Sequence, residues 1–216
     1  MKNFLITTIL VILFVETSKA QIEEYRIGIT VGPSVSYVRT ATESASTNID
    51  RESSELKFLL GAFVDIQFKE NYFFHTGVNF ATRSTKINVT DPVFFSGNRI
   101  AAEYDHEYLQ IPLLLKLYTN EVTLDTKVFF NLGLVPEVRL NTSSNNVAAV
   151  TEFQHLDLTG NFGGGLERAI GIQTSLFAAI NYNIGFLNQV KEQSPALSDE
   201  IVIKNNLIAL EFGIKF

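Results

Sequence analysis

The sequence predicts an all-β fold: an eight-stranded antiparallel transmembrane β-barrel with short periplasmic turns and longer extracellular loops. Three observations carry this. Apolar/polar alternation recurs in eight segments. The connections between those segments are alternately short and long. Finally, the chain is 46% hydrophobic and holds 18 Phe, yet beyond its N-terminal segment it has no run of about 18 apolar residues, the length a membrane helix needs. Such a chain can meet lipid only through strands, and strands in lipid must close into a barrel so that every backbone group is paired.

In chain order, Lys2 gives a positive start, Phe4 to Val15 form an apolar run, and Ser18-Lys19-Ala20 form a small-x-small site. The run is short for a membrane span. Residues 1–20 therefore read as a signal peptide cleaved near Ala20, and 21–216 as one outer-membrane β-barrel domain. Strand one, Tyr25 to Val38, sets Ile27, Ile29 and Val31 against Arg26, Gly28 and Thr30. Strand two, Leu56 to Lys69, sets Phe58, Leu60 and Val64 against Gly61, Asp65 and Gln67. Strand three, Tyr72 to Asn88, sets Phe74, Val78 and Phe80 against His75, Asn79 and Arg83. Strand four, Tyr104 to Tyr118, sets Leu109, Leu113 and Leu115 against Tyr108, Gln110 and Lys116.

Strand five, Leu124 to Leu140, sets Val128, Phe130 and Leu132 against Lys127, Asn131, Glu137 and Arg139. Strand six, His155 to Arg168, sets Leu158, Phe162 and Leu166 against Asp157, Asn161 and Glu167. Strand seven, Ile170 to Gly185, sets Leu176, Ile180 and Tyr182 against Ser175, Asn181 and Asn183. Strand eight, Lys204 to Phe216, sets Ile208, Leu210 and Phe212 against Ala209, Glu211 and Lys215. Each exceeds the roughly 9–11 residues that a tilted strand needs to cross a bilayer. The short connections are Lys69-Glu70-Asn71, a turn near Asn120, and Arg168-Ala169. Residues 39–56, 89–103, 141–154 and 186–203 are longer and polar. This pattern places the short turns and both termini in the periplasm.

Alternation alone does not say which face meets solvent. The polar parity decides it, because it is rich in glycine (Gly28, Gly32, Gly61, Gly77, Gly133, Gly163, Gly165, Gly213) and poor in Lys and Glu. Such a face suits a crowded lumen better than water. The Leu/Ile/Val/Phe parity, with Tyr25, Tyr72, Tyr182 and Phe216 near strand ends, suits lipid with aromatic girdles. The lumen then contains Arg26, Arg83, Lys116, Lys127, Arg139 and Lys215 with Asp65, Glu137, Asp157, Glu167 and Glu211. Eight strands leave an interior that side chains fill, so these charges should pair and plug it. Arg26 is expected to meet Glu211 or Lys215 across the closing strands.

Glu107-Tyr108-Leu109-Gln110-Ile111-Pro112-Leu113-Leu114-Leu115-Lys116 resembles the "YLEIPLLLK" strand of the PorT-like outer-membrane β-barrel family of Bacteroidetes. The strand Gly28-Ile29-Thr30-Val31-Gly32, the stretch Phe63 to Asn79 and the C-terminal Phe216 agree with it. The resemblance covers essentially the whole mature chain. It implies an outer-membrane location and, more weakly, a link to protein secretion. The stripe ending in Phe212, Ile214 and Phe216 also resembles the signal by which barrel-assembly machinery recognises its clients.

Other motifs point to no chemistry. Gly163-Gly164-Gly165 lacks the Lys-Ser/Thr and helix of a phosphate loop. His75, His106 and His155 share the inward parity but lack metal-ligand spacing. Cysteine is absent, which excludes disulfides, thiolate metal sites and a lipidated cysteine. Asn88-Val89-Thr90 and Asn141-Thr142-Ser143 match a glycosylation pattern that polar loops produce by chance. Pro112 inside a strand suggests a bulge, in preference to a site where a partner docks. Without residues 1–20, the 17 basic and 23 acidic side chains become 15 and 22. That negative balance argues against nucleic acid.

The expectation is thus an integral outer-membrane component of the cell envelope with a plugged lumen, no cofactor and no enzymatic activity. Its partners would be outer-membrane lipid, the assembly machinery and other envelope or secretion proteins. Two alternatives stay open. One is a secreted, soluble, lipocalin-like barrel that binds a small apolar ligand. The other is a lipid-modifying rim enzyme built on His106 beside Asp105 and Glu107.

Overall fold

The structure, a computed structural model, describes residues 24–42, 48–51, 55–90, 99–144, 150–194 and 201–216. The signal segment and its cleavage site lie outside the described residues. Twelve strands are formed: β1 (Glu24–Thr42), β2 (Asn48–Arg51), β3 (Leu56–Lys69), β4 (Tyr72–Thr90), β5 (Arg99–Gln110), β6 (Leu113–Thr123), β7 (Thr126–Ser144), β8 (Val150–Phe153), β9 (Leu156–Ala169), β10 (Ser175–Gly185), β11 (Val190–Gln193) and β12 (Ile201–Lys215). All pairings are antiparallel. β1 pairs with β3, β3 with β4, β4 with both β5 and β6, and both of these with β7. β7 pairs with β9, β9 with β10, β10 with β12, and β12 with β1. The ring closes, and because β5 and β6 occupy one position it has the eight predicted staves. Closure leaves no edge, which is what a strand-built membrane protein requires.

Pro112 interrupts one stave but does not bulge it. On one side Asn79 lies opposite Gln110 and Thr76 opposite Leu113. On the other, Glu137 lies opposite Gln110 and Leu134 opposite Leu113. Register is the same before and after the proline, so no residue is inserted. Pro112 merely lacks the N–H of one ladder bond, while the Ile111 N–H still donates to the Pro136 carbonyl at 2.9 Å. The irregularity sits higher, where Glu107 faces Asn141 but Tyr108 faces Arg139, leaving Leu140 as the extra residue.

The short turns differ from the expected ones by a few residues. Asn71 (φ 63°) and Asp125 (φ 57°) take the left-handed conformation that Asn and Asp tolerate best among residues with a Cβ. The fourth stave therefore runs past Asn120 to Thr123. Between β9 and β10 the Ile170 N–H donates to the Thr174 carbonyl at 2.9 Å, so β10 starts at Ser175. These turns and both described termini, Glu24 and Phe216, lie at one end. At the other end the staves outgrow the lipid band, and β2, β8 and β11 build on them.

The two parities separate as expected. Ile27, Ile29, Val31, Leu60, Val78, Leu132, Phe162, Ile180 and Phe212 lie on the outside, each between 47% and 61% exposed. Tyr25, Phe68, Tyr72 and Phe216 ring the periplasmic rim of this band. Tyr37 stacked on Tyr182, and Phe58 tilted against Phe80, lie at its far rim. A soluble barrel with the Leu/Phe parity inward is not what forms, because a continuous apolar belt this large would face water.

At the outer end the inward parity itself turns apolar. Val38, Ile87, Ala102, Tyr104, Ile201 and Ile203 meet Val150 and Phe153 of β8, with Val190 of β11 against them. β8 and β11 pair only with each other, as a two-stranded sheet. They cap the barrel with a small dry core.

Candidate functional site

The lumen carries the chemistry of this chain, in two charged layers. The lower layer centres on Asp65 of β3, whose side chain is fully buried. One carboxylate oxygen accepts from Lys116 Nζ at 3.1 Å and Lys215 Nζ at 2.9 Å, and the other lies 2.5 Å from His75 Nδ1. Lys215 also pairs with Glu167 and donates to the Tyr118 hydroxyl at 2.5 Å, while Tyr118 donates to Glu167 at 2.5 Å. The three staves β3, β6 and β12 are thereby tied across the barrel rather than along its wall.

Aromatic side chains fill the space around these ions. Lys116 Nζ lies 4.2 Å from the ring centre of Phe129, 5.5 Å from Tyr118 and Phe177, and 5.8 Å from Phe63. A desolvated cation against such faces gains about 2 kcal/mol. The rings also pack on one another, Phe63 edge-on to Phe177 at 5.5 Å and Phe129 edge-on to Phe177 at 6.3 Å. Two glycines make room for them. A Cβ on Gly213 would strike the Phe177 ring, and one on Gly28 the Phe63 ring.

The upper layer lies beneath the apolar cap. Arg83 Nη2 donates to Glu137 at 2.7 Å, and both side chains are fully buried. Glu137 also accepts from Gln110 at 2.9 Å and Thr159 at 3.0 Å. The Arg83 guanidinium lies 4.9 Å from the Tyr108 ring centre. Arg139 donates to the Phe153 carbonyl of the cap and stacks on that ring. Asp157 accepts from Gln189 Nε2 at 2.7 Å, which ties the loop before β11 to β9.

Of the eleven charged residues expected inside, most are assembled here, with three corrections. Arg26 meets neither Glu211 nor Lys215. It sits at the rim, pairing with Glu24 at 2.9 Å and reaching Glu167 at 3.6 Å, so it shares that acid with Lys215. Lys127 is exposed at the periplasmic mouth, outside the paired network. Glu211 has no cation against it among the described residues; it accepts from Thr30 and Asn181. Of the proposed assembly signal, Phe212 and Phe216 are exposed on the lipid face and Ile214 is half-buried.

Alternation sets the members of the rim-enzyme group on opposite faces of the wall. His106 points inward, is buried and lies 3.0 Å from Thr142 Oγ1, whereas its neighbour Asp105 faces outward to Lys57 at 2.8 Å. His155 is exposed between β8 and β9 rather than inward. The inward phenylalanines and the cap had no counterpart in the sequence reading. Their signal was there, as large apolar residues standing on the polar parity at Phe63, Phe129, Phe177, Ile87 and Ile203.

Outside the barrel, above the lipid band, Glu55, Glu103 and Asp105 bring carboxylate oxygens within 4.8 Å of one another. This is not a vacant metal cradle. Lys57 pairs with Glu55 and Asp105, and Lys86 with Glu55 and Glu103. Hydrogen bonds from Lys86, then Lys57, hold the Glu55 carboxyl below its ordinary range.

Comparisons with known proteins agree with this architecture. The family model described as "Outer membrane protein beta-barrel domain" matches residues 18–190. Among solved structures, the outer membrane protein OprG from Pseudomonas aeruginosa is similar at a TM-score of 0.54 and 12% identity, covering 88% of this chain and 95% of that one. Neisserial surface protein A is similar at 0.50 and 9%, again covering 88% and 95%. At such identities the likeness is one of fold. No curated protein sequence matches the chain.

Proposed function

Because this chain belongs to the outer membrane protein beta-barrel domain family, and is thus an integral outer-membrane protein, we propose that it works as a closed barrel. On this reading it serves the envelope through its loops and rims and not as a pore. One observation supports the proposal: among the described residues, side chains crowd the lumen at two levels. The Asp65–Lys116–Lys215 cluster and its aromatic collar fill the lower half, and the β8–β11 cap covers the upper. The cavity left between them measures about 30 Å³, roughly two water-sized species. The purified monomer in a planar bilayer is expected to give no large stable conductance; a sustained open-channel current would refute the closed barrel.

A role beside secretion or other envelope proteins rests on the PorT-like resemblance of Glu107 to Lys116 and the polar outer loops. Deleting the gene should then change the set of secreted proteins, and an unchanged set would count against the link. Contact with the assembly machinery rests on the C-terminal stripe. Removing Phe216 is expected to lower outer-membrane assembly several-fold in cells while refolding in detergent proceeds. Equal assembly in cells would leave Phe216 as a lipid-facing residue only.

A further inference from the structure

The two charged layers are each formally balanced, Lys116 and Lys215 against Asp65 and Glu167 below, and Arg83 and Arg139 against Glu137 and Asp157 above. Glu211 lies between them and is left over. Its oxygens lie against two donors, Oε2 near Thr30 Oγ1 at 3.3 Å and Oε1 accepting from Asn181 Nδ2 at 2.8 Å. This orients the amides behind it. Asn181 must spend its N–H on Glu211, so its Oδ1 accepts from Asn131 Nδ2 at 3.3 Å. That leaves the Asn131 oxygen without a donor. Asn161 likewise donates to Asn183 at 2.6 Å and keeps a free oxygen, and Asn79 Oδ1 is a third.

These three oxygens belong to side chains buried to nine-tenths or more, and their residues line the same small cavity as Glu211. The site presents acceptors and one carboxylate that has no cation against it among the described residues. Lys116 also borders it, but its ammonium is engaged by Asp65. Buried polar groups need partners, and the half-buried Glu211 carboxylate beside them has no cation against it among the described residues. We propose that the cavity holds one partly hydrated monovalent cation, Na⁺ in the first instance, bound by Glu211 and the free oxygens of Asn79, Asn131 and Asn161. All the ligands are oxygen, which suits a hard cation. One carboxylate with neutral amides matches a single positive charge, where Ca²⁺ sites gather 6–8 oxygens and commonly several carboxylates. The inference does not depend on whether the barrel conducts.

The test is urea unfolding of the full barrel folded in detergent micelles, with NaCl replaced by N-methylglucamine chloride at constant ionic strength. Above saturation, the unfolding equilibrium constant should fall about tenfold for each tenfold rise in Na⁺. Glu211→Gln should abolish that dependence, whereas Lys127→Gln at the mouth should keep it. If Glu211→Gln does not fold, Asn161→Leu serves in its place, with its Na⁺ dependence displaced to at least tenfold higher concentration. Identical unfolding of the unaltered barrel in both salts would mean that the cavity holds water alone, and the proposal would fall. Retention of the full dependence in Glu211→Gln would overturn it equally.

Discussion

Replacing Asp65 by Leu is expected to destabilise the folded barrel by about 3–5 kcal/mol, because it leaves buried cations without their acid. Asp65 is the shared acceptor of Lys116 and Lys215 and the neighbour of His75. Lys215 keeps Glu167 and Tyr118 after the change. Lys116 keeps ring faces and the more distant Glu167, with no acid in direct contact among the described residues. The account therefore makes a second, sharper statement: Asp65→Leu combined with Lys116→Met should recover most of the loss, since a removed ion pair replaced by apolar atoms of similar volume is often neutral. Urea unfolding midpoints of the three proteins measure this. A double variant as weak as the single one would show that the ion pair does not lock the lower lumen.

Leu132→Arg addresses the outer surface with comparable force. Leu132 lies on β7, flanked by Leu115 and Phe162 on the neighbouring staves, and is 59% exposed. If this face meets acyl chains near the bilayer midplane, an arginine there costs about 2–4 kcal/mol. If it met water, a surface substitution would stay within about 0.5 kcal/mol. Unfolding from lipid vesicles measures the difference, and a change below 1 kcal/mol would place Leu132 outside the hydrocarbon region.

Much of this fold was legible because a closed barrel imposes period two on every stave. The outward row is the cleanest part of that pattern: Ile27-Ile29-Val31, Leu113-Leu115 and Phe130-Leu132-Leu134 face lipid, where nothing but an apolar side chain is tolerated. The inward row obeys a looser rule. It must fill space and satisfy charge, and Phe63, Phe129 and Phe177 fill it as well as Asn or Gly does. Alternation is thus silent about the aromatic collar. Pairings across the lumen escape it too, since they depend on stagger around the ring. Arg26 and Lys215 are close in the β1–β12 ladder, yet the stagger hands both of them Glu167 of β9. The cap needs more still, because Val150 and Phe153 come from a stretch that reads as polar loop. Pro112 misled for another reason. A missing N–H can be absorbed without a bulge when neighbouring register is held by bonds on both sides.

The absence of cysteine allows a direct examination of the central claim, that alternate side chains face lipid and a filled lumen. Single cysteines placed along β10 from Leu176 to Ile184 can carry spin labels in the bilayer-inserted barrel. Accessibility to oxygen and to a water-soluble nickel complex is then read at each position. Labels at 176, 178, 180, 182 and 184 should collide with oxygen and not with nickel, and those at 177, 179, 181 and 183 with neither. Nickel contact at the even positions would put that face in water, and nickel contact at the odd positions would open the lumen; either result contradicts the account.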